Sequence, residues 1–271
     1  MKLYCDLHIH TVHSDGLLTV SEVIKKAKEN GLHIISITDH DTVGGVGIAL
    51  EISKVEGIMV IPGIEISAES EDFGEVHVLG YFINWKHKNF VRYFEYSYES
   101  RLERIYKIVK RLNDLGIKID FSEILSEFKK DGNSNLGRPH IAQILVKKGY
   151  VKDCDEAFDN YLGKGKPAYV EREKISVEDA ISLITEAGGI PVIAHPGGKL
   201  SLDYIIYLKR KGLMGVEVWY PRHTEKDIED LLDLCNRENL IPTGGSDFHG
   251  WGKRNQFLSI DWDKIGFSRL K

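Results

Sequence analysis

A chain of 271 residues, 42% of them hydrophobic, can bury a substantial core and has room for one large domain or a domain and a half. No apolar run approaches the roughly 18 residues that span a bilayer, and no basic stretch followed by an apolar one opens the chain as a signal peptide would. Three scattered cysteines (Cys5, Cys154, Cys235) argue against a disulfide framework and leave reduced thiols in a cytoplasmic protein, without a membrane or an obligate protein partner, as the expectation; the net charge is −5.

Taken in chain order, residues 2–9 read as a strand. Thr19-x-x-Glu22 is a capping box that opens a helix to about Asn30, with Gly31 as its stop. Residues 33–38 form a second strand, 44–54 a short helix, 58–66 a third strand and 75–83 a fourth. Residues 88–114 have the period of one long amphipathic helix, and shorter helices follow to about 162. The βα rhythm then resumes, with helix 176–187, strand 190–194, helix 201–211, strand 215–219, helix 224–238 and strand 240–243. Residues 254–271 carry no diagnostic pattern. Such alternation argues for an α/β fold with a parallel sheet, open or closed into a barrel. A helical insertion interrupts it, so the expected organisation is a barrel of residues 1–85 and 170–271 and an inserted unit of 86–169. The charge divides in the same way. Residues 86–174 hold 19 Lys/Arg against 14 Asp/Glu, and the remainder 17 against 27. An acidic body suits bound cations and a basic segment suits an anionic substrate, although ordinary helix-surface charge explains the counts equally well.

Histidines and acids punctuate the strand ends. The first strand carries Asp6-x-His8-x-His10, where a period of two puts three polar side chains on one face, and Ser14-Asp15-Gly16 follows. Later segments present Asp39-His40-Asp41, Gly63-Ile64-Glu65, Glu75-Val76-His77, Ala194-His195-Pro196-Gly197 and Ser246-Asp247-Phe248-His249. Singly, each has a bland explanation: His77 between valines as a buried core residue, Asp15 before glycine as a turn former, Asp39 and Asp41 as caps, Glu65 as half of a buried ion pair. Together they do not. The C-terminal ends of parallel strands meet at one rim, where the active sites of such folds lie, and carboxylates gathered there repel one another unless cations are bound. His33, His87 and Cys154 fall outside this pattern, and His13 is not needed as a ligand.

The motifs DLHIHTVHSDG, SITDHDTVGG, IPGIEIS, EVHVLGY, IAHPGG and GGSDFHG together resemble the PHP (polymerase and histidinol phosphatase) superfamily. Gly137-Arg138-Pro139-His140 and the run Tyr161–Tyr169 resemble its stand-alone enzymes, which act on 3′,5′-nucleoside bisphosphates and short oligonucleotides. The resemblance implies a distorted (β/α)7 barrel with three divalent metal ions at its rim. His8, His10, Glu65 and Asp247 would hold one; Glu65 would bridge to a second with His77 and His195; Asp15, His40 and His249 would hold the third. Asp6 would stand behind them, orienting an imidazole. Such ligands suit Mn²⁺, Fe²⁺ or Zn²⁺.

A cluster of this kind lowers the pKa of a bridging water and neutralises phosphoryl charge. The expected reaction is attack of the resulting hydroxide on the 3′-phosphate of a nucleoside 3′,5′-bisphosphate, with 5′-to-3′ trimming of short oligonucleotides at the same site. Arg138 is the leading phosphate-binding candidate because guanidinium offers a bidentate fork. His223 is a candidate phosphate contact or proton donor. His140, Lys164, Lys166 and Arg222 are weaker candidates for substrate contact. Hydrolysis of histidinol phosphate or another small phosphomonoester is a second reading, and a nucleic-acid-binding module with structural metals is a third.

Overall fold

A computed structural model describes residues 2–128 and 136–269. The elements follow the hydrophobic pattern closely: β1 Tyr4–Ile9, α1 Val20–Glu29, β2 Ile34–Ile37, α2 Gly44–Glu56, β3 Met59–Ser70, β4 Gly74–Tyr81 and α3 Lys88–Asp114. Then come α4 Phe121–Phe128, α5 Arg138–Lys147, α6 Cys154–Ala157, β5 Ile175–Ser176, α7 Val177–Glu186, β6 Ile190–Ile193 and α8 Leu202–Arg210. β7 Gly215–Trp219, α9 Glu225–Glu238, β8 Ile241–Gly244 and β9 Ile260–Asp261 complete the chain. The expected capping box is present: Glu22 N–H donates to Thr19 Oγ1 at 3.3 Å, and Thr19 N–H donates to Glu22 Oε2 at 2.8 Å. Thr224 and Asp227 build a second one that opens α9.

The strands form one sheet in the order β8-β7-β6-β4-β3-β2-β1-β9, with β5 beside β3. The sheet is mixed, where the βα rhythm leads one to expect a parallel one. β3 and β4 are antiparallel, because the three residues between them, Glu71, Asp72 and Phe73, are far too few for a parallel crossover. β4 is consequently antiparallel to β6 as well. The β1–β2, β2–β3, β6–β7 and β7–β8 pairs are parallel, and the short β9 runs antiparallel along β1. Past β8 the chain turns along β1, where Ile9 and Phe248 form a parallel bridge. His10 N–H donates to Phe248 O at 2.8 Å, and Phe248 N–H to His8 O at 3.2 Å. These bonds nearly close seven strands into a barrel.

Two compact units divide the chain: one of Met1–Arg92 with Lys174–Lys271, the other of Tyr93–Glu173. The division falls inside α3 and just before β5, a few residues later than the sequence boundaries at 86 and 169. In the first unit, Val20, Val23, Ile24 and Ala27 of α1 pack on Ile35 and Ile37 of β2. Leu79, Tyr81, Val192 and Leu7 gather in another cluster. The second unit has a core of its own, made by Ile105, Ile108, Val109 and Leu112 of α3 with Ile141, Ile144 and Leu145 of α5. A continuous turn of i→i+5 type, Phe158–Leu162, follows α6, and Gly163 N–H donates to Phe158 O at 2.8 Å. Among the described residues no helix is long and apolar enough to cross a membrane. All three cysteines are free thiols, with Cys5 and Cys235 buried.

Gly245 is required where the barrel closes. A Cβ there would collide with the backbone nitrogen and Cβ of His8, so no larger residue fits without pushing β1 away from the segment after β8. Gly245→Ala is expected to lower stability by about 3 kcal/mol, at the upper end of overpacking effects, as a reduced urea midpoint at unchanged m-value.

Candidate metal centre

The site is built around one carboxylate. Glu65, fully buried in the middle of β3, faces five imidazoles. Its Oε2 lies 3.2 Å from His8 Nε2, 3.2 Å from His10 Nε2 and 3.1 Å from His40 Nδ1. Its Oε1 lies 2.9 Å from His77 Nδ1 and 3.3 Å from His195 Nε2. Two more carboxylates flank this group. Asp247 Oδ1 is 3.3 Å from both His10 Nε2 and His249 Nδ1, and Asp15 Oδ1 is 3.2 Å from His249 Nε2. All nine ligand candidates of the sequence therefore converge. β4 contributes from its N-terminal half, since it runs against its neighbours, so His77 reaches the rim without lying at a strand's C-terminal end.

Buried side chains fasten the loops that carry these groups. Asp39 accepts hydrogen bonds from Thr11 N–H and Thr11 Oγ1, both at 2.7 Å, and from Ser14 Oγ at 2.6 Å, which holds the turn leading to Asp15. Asp41 accepts from Ser67 N–H at 2.8 Å. Three residues of these loops, Asp41, His195 and Asp247, have left-handed backbone (φ 52°, 32° and 56°). That conformation is unfavourable for non-glycine residues and persists where the surroundings enforce it.

The donor set fits divalent metal ions. His8 Nε2, His10 Nε2, Asp15 Oδ1 and Glu65 Oε2 are buried side-chain atoms with no hydrogen bond of acceptable geometry among the described residues, although they lie close together. Buried polar atoms are seldom left so, and a shared metal ion would satisfy them together. Three groups bring ligand atoms within 4.8 Å of one another: His10, Asp15, His40 and His249; His8, His10 and Glu65; and His40, Glu65 and His77. Mixed imidazole and carboxylate donors suit first-row divalent ions.

The PHP domain family matches residues 6–163, more than half of the chain. The chain belongs to the PHP domain family. It is 34% identical to a 3′,5′-nucleoside bisphosphate phosphatase of Chromobacterium violaceum, over 92% of this chain and 88% of that protein. It is 32% identical to a 5′-3′ exoribonuclease of Haemophilus influenzae, over 94% of each. Among solved structures it is similar to a protein of Bifidobacterium adolescentis assigned as a metal-dependent phosphoesterase (TM-score 0.87, 32% identity, 94% of this chain and 90% of that one). It is also similar to an amidohydrolase of C. violaceum with bound sulfate and no metal (TM-score 0.85, 33% identity, 95% and 91%).

In this PHP protein two sequence candidates have other duties than expected. Asp6 does not orient an imidazole. Its oxygens accept from the backbone N–H groups of Ser246 at 2.9 Å, Leu258 at 2.9 Å and His8 at 3.2 Å. The register shift in β1 between Asp6 and Ile9 breaks the simple alternation on which that expectation rests. His223 is not placed to donate a proton. Its Nδ1 donates to Val218 O at 2.8 Å, and its Nε2 accepts from Gly197 N–H at 3.0 Å, so both nitrogens serve the backbone of adjoining loops. Thr224 caps α9.

In the second unit, Arg138 donates to Leu162 O at 3.2 Å and lies over the rings of Phe158 and Tyr169, 5.5 Å from each centroid. His140 is buried and its Nδ1 accepts from Gly137 N–H at 3.0 Å. Lys164 and Lys166 are exposed. His13 is buried and lies outside the three ligand groups.

The imidazole-orienting carboxylates are Glu75, which stands in the Glu75-Val76-His77 motif, and Glu217, which lies outside every motif. Glu217, buried on β7, binds His8 Nδ1 through Oε1 at 2.9 Å and His195 N–H through Oε2 at 2.7 Å. Glu75 binds His77 Nε2 at 3.1 Å and is itself held by Lys174 at 3.0 Å. Beside the cluster opens a cleft of about 270 Å³ lined by His77, His195, Lys199, Tyr220, Arg222 and Arg254, among others. The signal for Glu217 was a lone acid inside the apolar strand GVEVW, a costly position unless the acid is paired.

The electrostatics among these side chains are those of interlocked ion pairs. Burial alone would raise the Glu65 carboxyl, but the charged imidazoles of His8 and His77 outweigh it and hold it well below the usual range. Asp15 and Asp247 are likewise held low against burial, chiefly by His249. Burial works against protonated His10 and His77, yet their carboxylate partners, Asp247 and Glu65 for His10 and Glu65 and Glu75 for His77, raise each to about 9. Burial dominates at His40, which falls to about 3.

Two outcomes follow. Metal ions bind imidazoles in deprotonated form. Protons on His10 and His77 stabilise the metal-free fold fully below the ordinary pKa of 6.5, and that contribution disappears as pH rises through about 9. In scanning calorimetry the chelator-treated protein is therefore expected to lose Tm between these pH values, and saturating Mn²⁺ to abolish the decline; a flat metal-free profile would contradict the coupling. Glu217→Gln is expected to weaken metal affinity by about 10–100-fold in titration calorimetry, since it removes the charge that fixes the His8 ring.

Proposed function

We propose that this protein is a metal-dependent phosphoesterase that removes the 3′-phosphate of nucleoside 3′,5′-bisphosphates and trims short oligonucleotides from the 5′ end. The observation that carries this reading is the convergence of nine imidazole and carboxylate ligands beside a cleft with cationic walls. The names of its relatives support the substrate class: a nucleoside bisphosphate phosphatase and an exoribonuclease, each aligned over nearly its whole length.

In this proposal His8, His10, Glu65 and Asp247 hold one ion, Glu65 with His77 and His195 a second, and Asp15, His40 and His249 a third, drawn from Mn²⁺, Fe²⁺ and Zn²⁺. Such ions supply hydroxide from water at neutral pH and offset charge on a phosphoryl group. The chain's own part is to fix their positions. Glu217 and Glu75 hold the rings of His8 and His77, and Asp6 and Asp39 hold the loops bearing Asp247 and Asp15. Tyr220, whose hydroxyl donates to Asp247 Oδ2 at 3.3 Å, stays protonated because burial pushes its pKa up. Cationic side chains at the cleft explain how an acidic protein attracts a polyanion. Arg138, braced within its own unit by Phe158 and Tyr169, remains a candidate phosphate contact on the chemistry of its guanidinium.

Incubation with Mn²⁺ and 3′-phosphoadenosine 5′-phosphate should release inorganic phosphate and leave the 5′-monophosphate, and His8→Ala should reduce release to the protein-free level. Faster turnover of histidinol phosphate would replace this substrate assignment. Salt-dependent oligonucleotide binding with the substrate left intact would instead make the protein a binding module.

A further inference from the structure

Arg254 lies beyond the last ligand motif, in the stretch where the sequence shows no pattern. A tight turn folds it back over the cluster. His249 N–H and Gly250 N–H both donate to Arg254 O, at 2.8 and 3.0 Å, and Arg254 N–H donates to Trp251 O at 3.0 Å. Gly250 and Gly252 supply the positive φ angles this turn needs (79° and 55°). Trp251 Nε1 anchors the turn on Asp15 O at 3.1 Å. The guanidinium thereby meets two ligand candidates: Nε is 3.3 Å from Asp247 Oδ2, and a terminal nitrogen is 3.2 Å from His249 Nε2.

The second contact is chemically informative. His249 Nδ1 lies 2.8 Å from Asp247 O, and Nε2 points to the side where Asp15 Oδ1, at 3.2 Å, and the guanidinium meet. A guanidinium has donors only. Arg254 therefore stands at the side of His249 Nε2 and Asp15 that a metal ion would occupy, and the two cations compete for that place. The contact to Asp247 Oδ2 is free of that conflict, since Oδ1 is the oxygen that faces His10. Arg254 also lines the cleft next to the cluster, and two of its five donors account for the contacts above.

We propose that Arg254 is a substrate-binding residue of the phosphoesterase: with a metal ion on His249 it keeps Asp247 through Nε and turns its terminal N–H groups onto a phosphoryl oxygen in the cleft. This rests on the phosphoesterase reading, and it makes phosphate binding depend on prior metal loading. A guanidinium braced on one side by a carboxylate presents a planar fork, which a lysine ammonium does not reproduce.

The test uses the full chain as wild type, Arg254→Gln and Arg254→Lys, each checked by its thermal melt. Titration calorimetry measures Mn²⁺ binding to the chelator-treated proteins, then inorganic phosphate binding to the Mn²⁺-saturated ones. Arg254→Gln should bind Mn²⁺ at least as tightly as wild type, because a competing cation is gone. Its phosphate affinity in the loaded state should fall about 10–100-fold, the range for losing a charge-assisted hydrogen-bond pair. Arg254→Lys should recover part of that loss, and in kinetics KM should change more than kcat. Unchanged phosphate affinity in Arg254→Gln would overturn the proposal, and so would a loss of Mn²⁺ affinity as large as the phosphate effect, which marks a prop for Asp247. Should Arg254→Gln not fold, Arg254→Lys decides alone: phosphate affinity equal to wild type overturns the proposal. Phosphate binding needs no nucleoside. Loaded wild type that binds phosphate through Arg254 but releases none from the bisphosphate would refute the substrate assignment and leave Arg254's role standing.

Discussion

Five imidazoles around one buried carboxylate, that of Glu65, are the constraint to which the rest of the barrel answers. An ionised carboxylate without water must be compensated by positive charge. Neutral imidazoles supply lone pairs and no charge, and they need a cation as much as the carboxylate does. Protons on some of the rings or divalent ions among them are the two ways to satisfy both. The geometry favours ions, because His8 Nε2, His10 Nε2, Asp15 Oδ1 and Glu65 Oε2 lie buried without a hydrogen bond of acceptable geometry among the described residues. A cluster whose parts require a shared guest is a poor core and a good reaction centre.

Holding such a cluster takes a scaffold of buried acids that bind no metal. Asp39 secures the turn after β1, Asp6 secures the segments at Ser246 and Leu258, and Glu217 ties the His8 ring to the backbone of His195. His223 closes the series by joining Gly197 to Val218. Each spans residues distant in sequence, and each satisfies backbone groups that loops at a barrel rim would otherwise leave unpaired. The left-handed backbone at His195 and Asp247 is tolerated because these contacts over-determine it.

Legibility in the sequence followed the range of the interaction involved. Helix ends such as Thr19–Glu22 depend on residues three apart, and strand lengths on local alternation, so both could be read directly. A site rich in residues able to bind metal was legible because they recur at the ends of successive strands, and the resemblance of those motifs to the PHP superfamily singled out the nine ligand candidates. The duties of Asp6 and His223 were not: each is a plausible ligand neighbour in sequence, and only its partners, more than twenty residues away for Gly197 and Ser246, assign it to the backbone instead. Glu217 and Arg254 escaped for the same reason. One is a single acid in an apolar strand, and the other follows a glycine-rich turn with no motif around it.

By itself the sequence determined the order of strands and helices, the presence of a helical insertion and the set of side chains able to bind metal. These depend on local periodicity and on residue chemistry. The tertiary structure alone decided that β4 runs against its neighbours, that Glu65 is the common centre, and which polar residues brace the site rather than fill it. Those outcomes depend on distances between residues far apart along the chain, which appear only once the barrel has closed through the contact of Gly245 with His8.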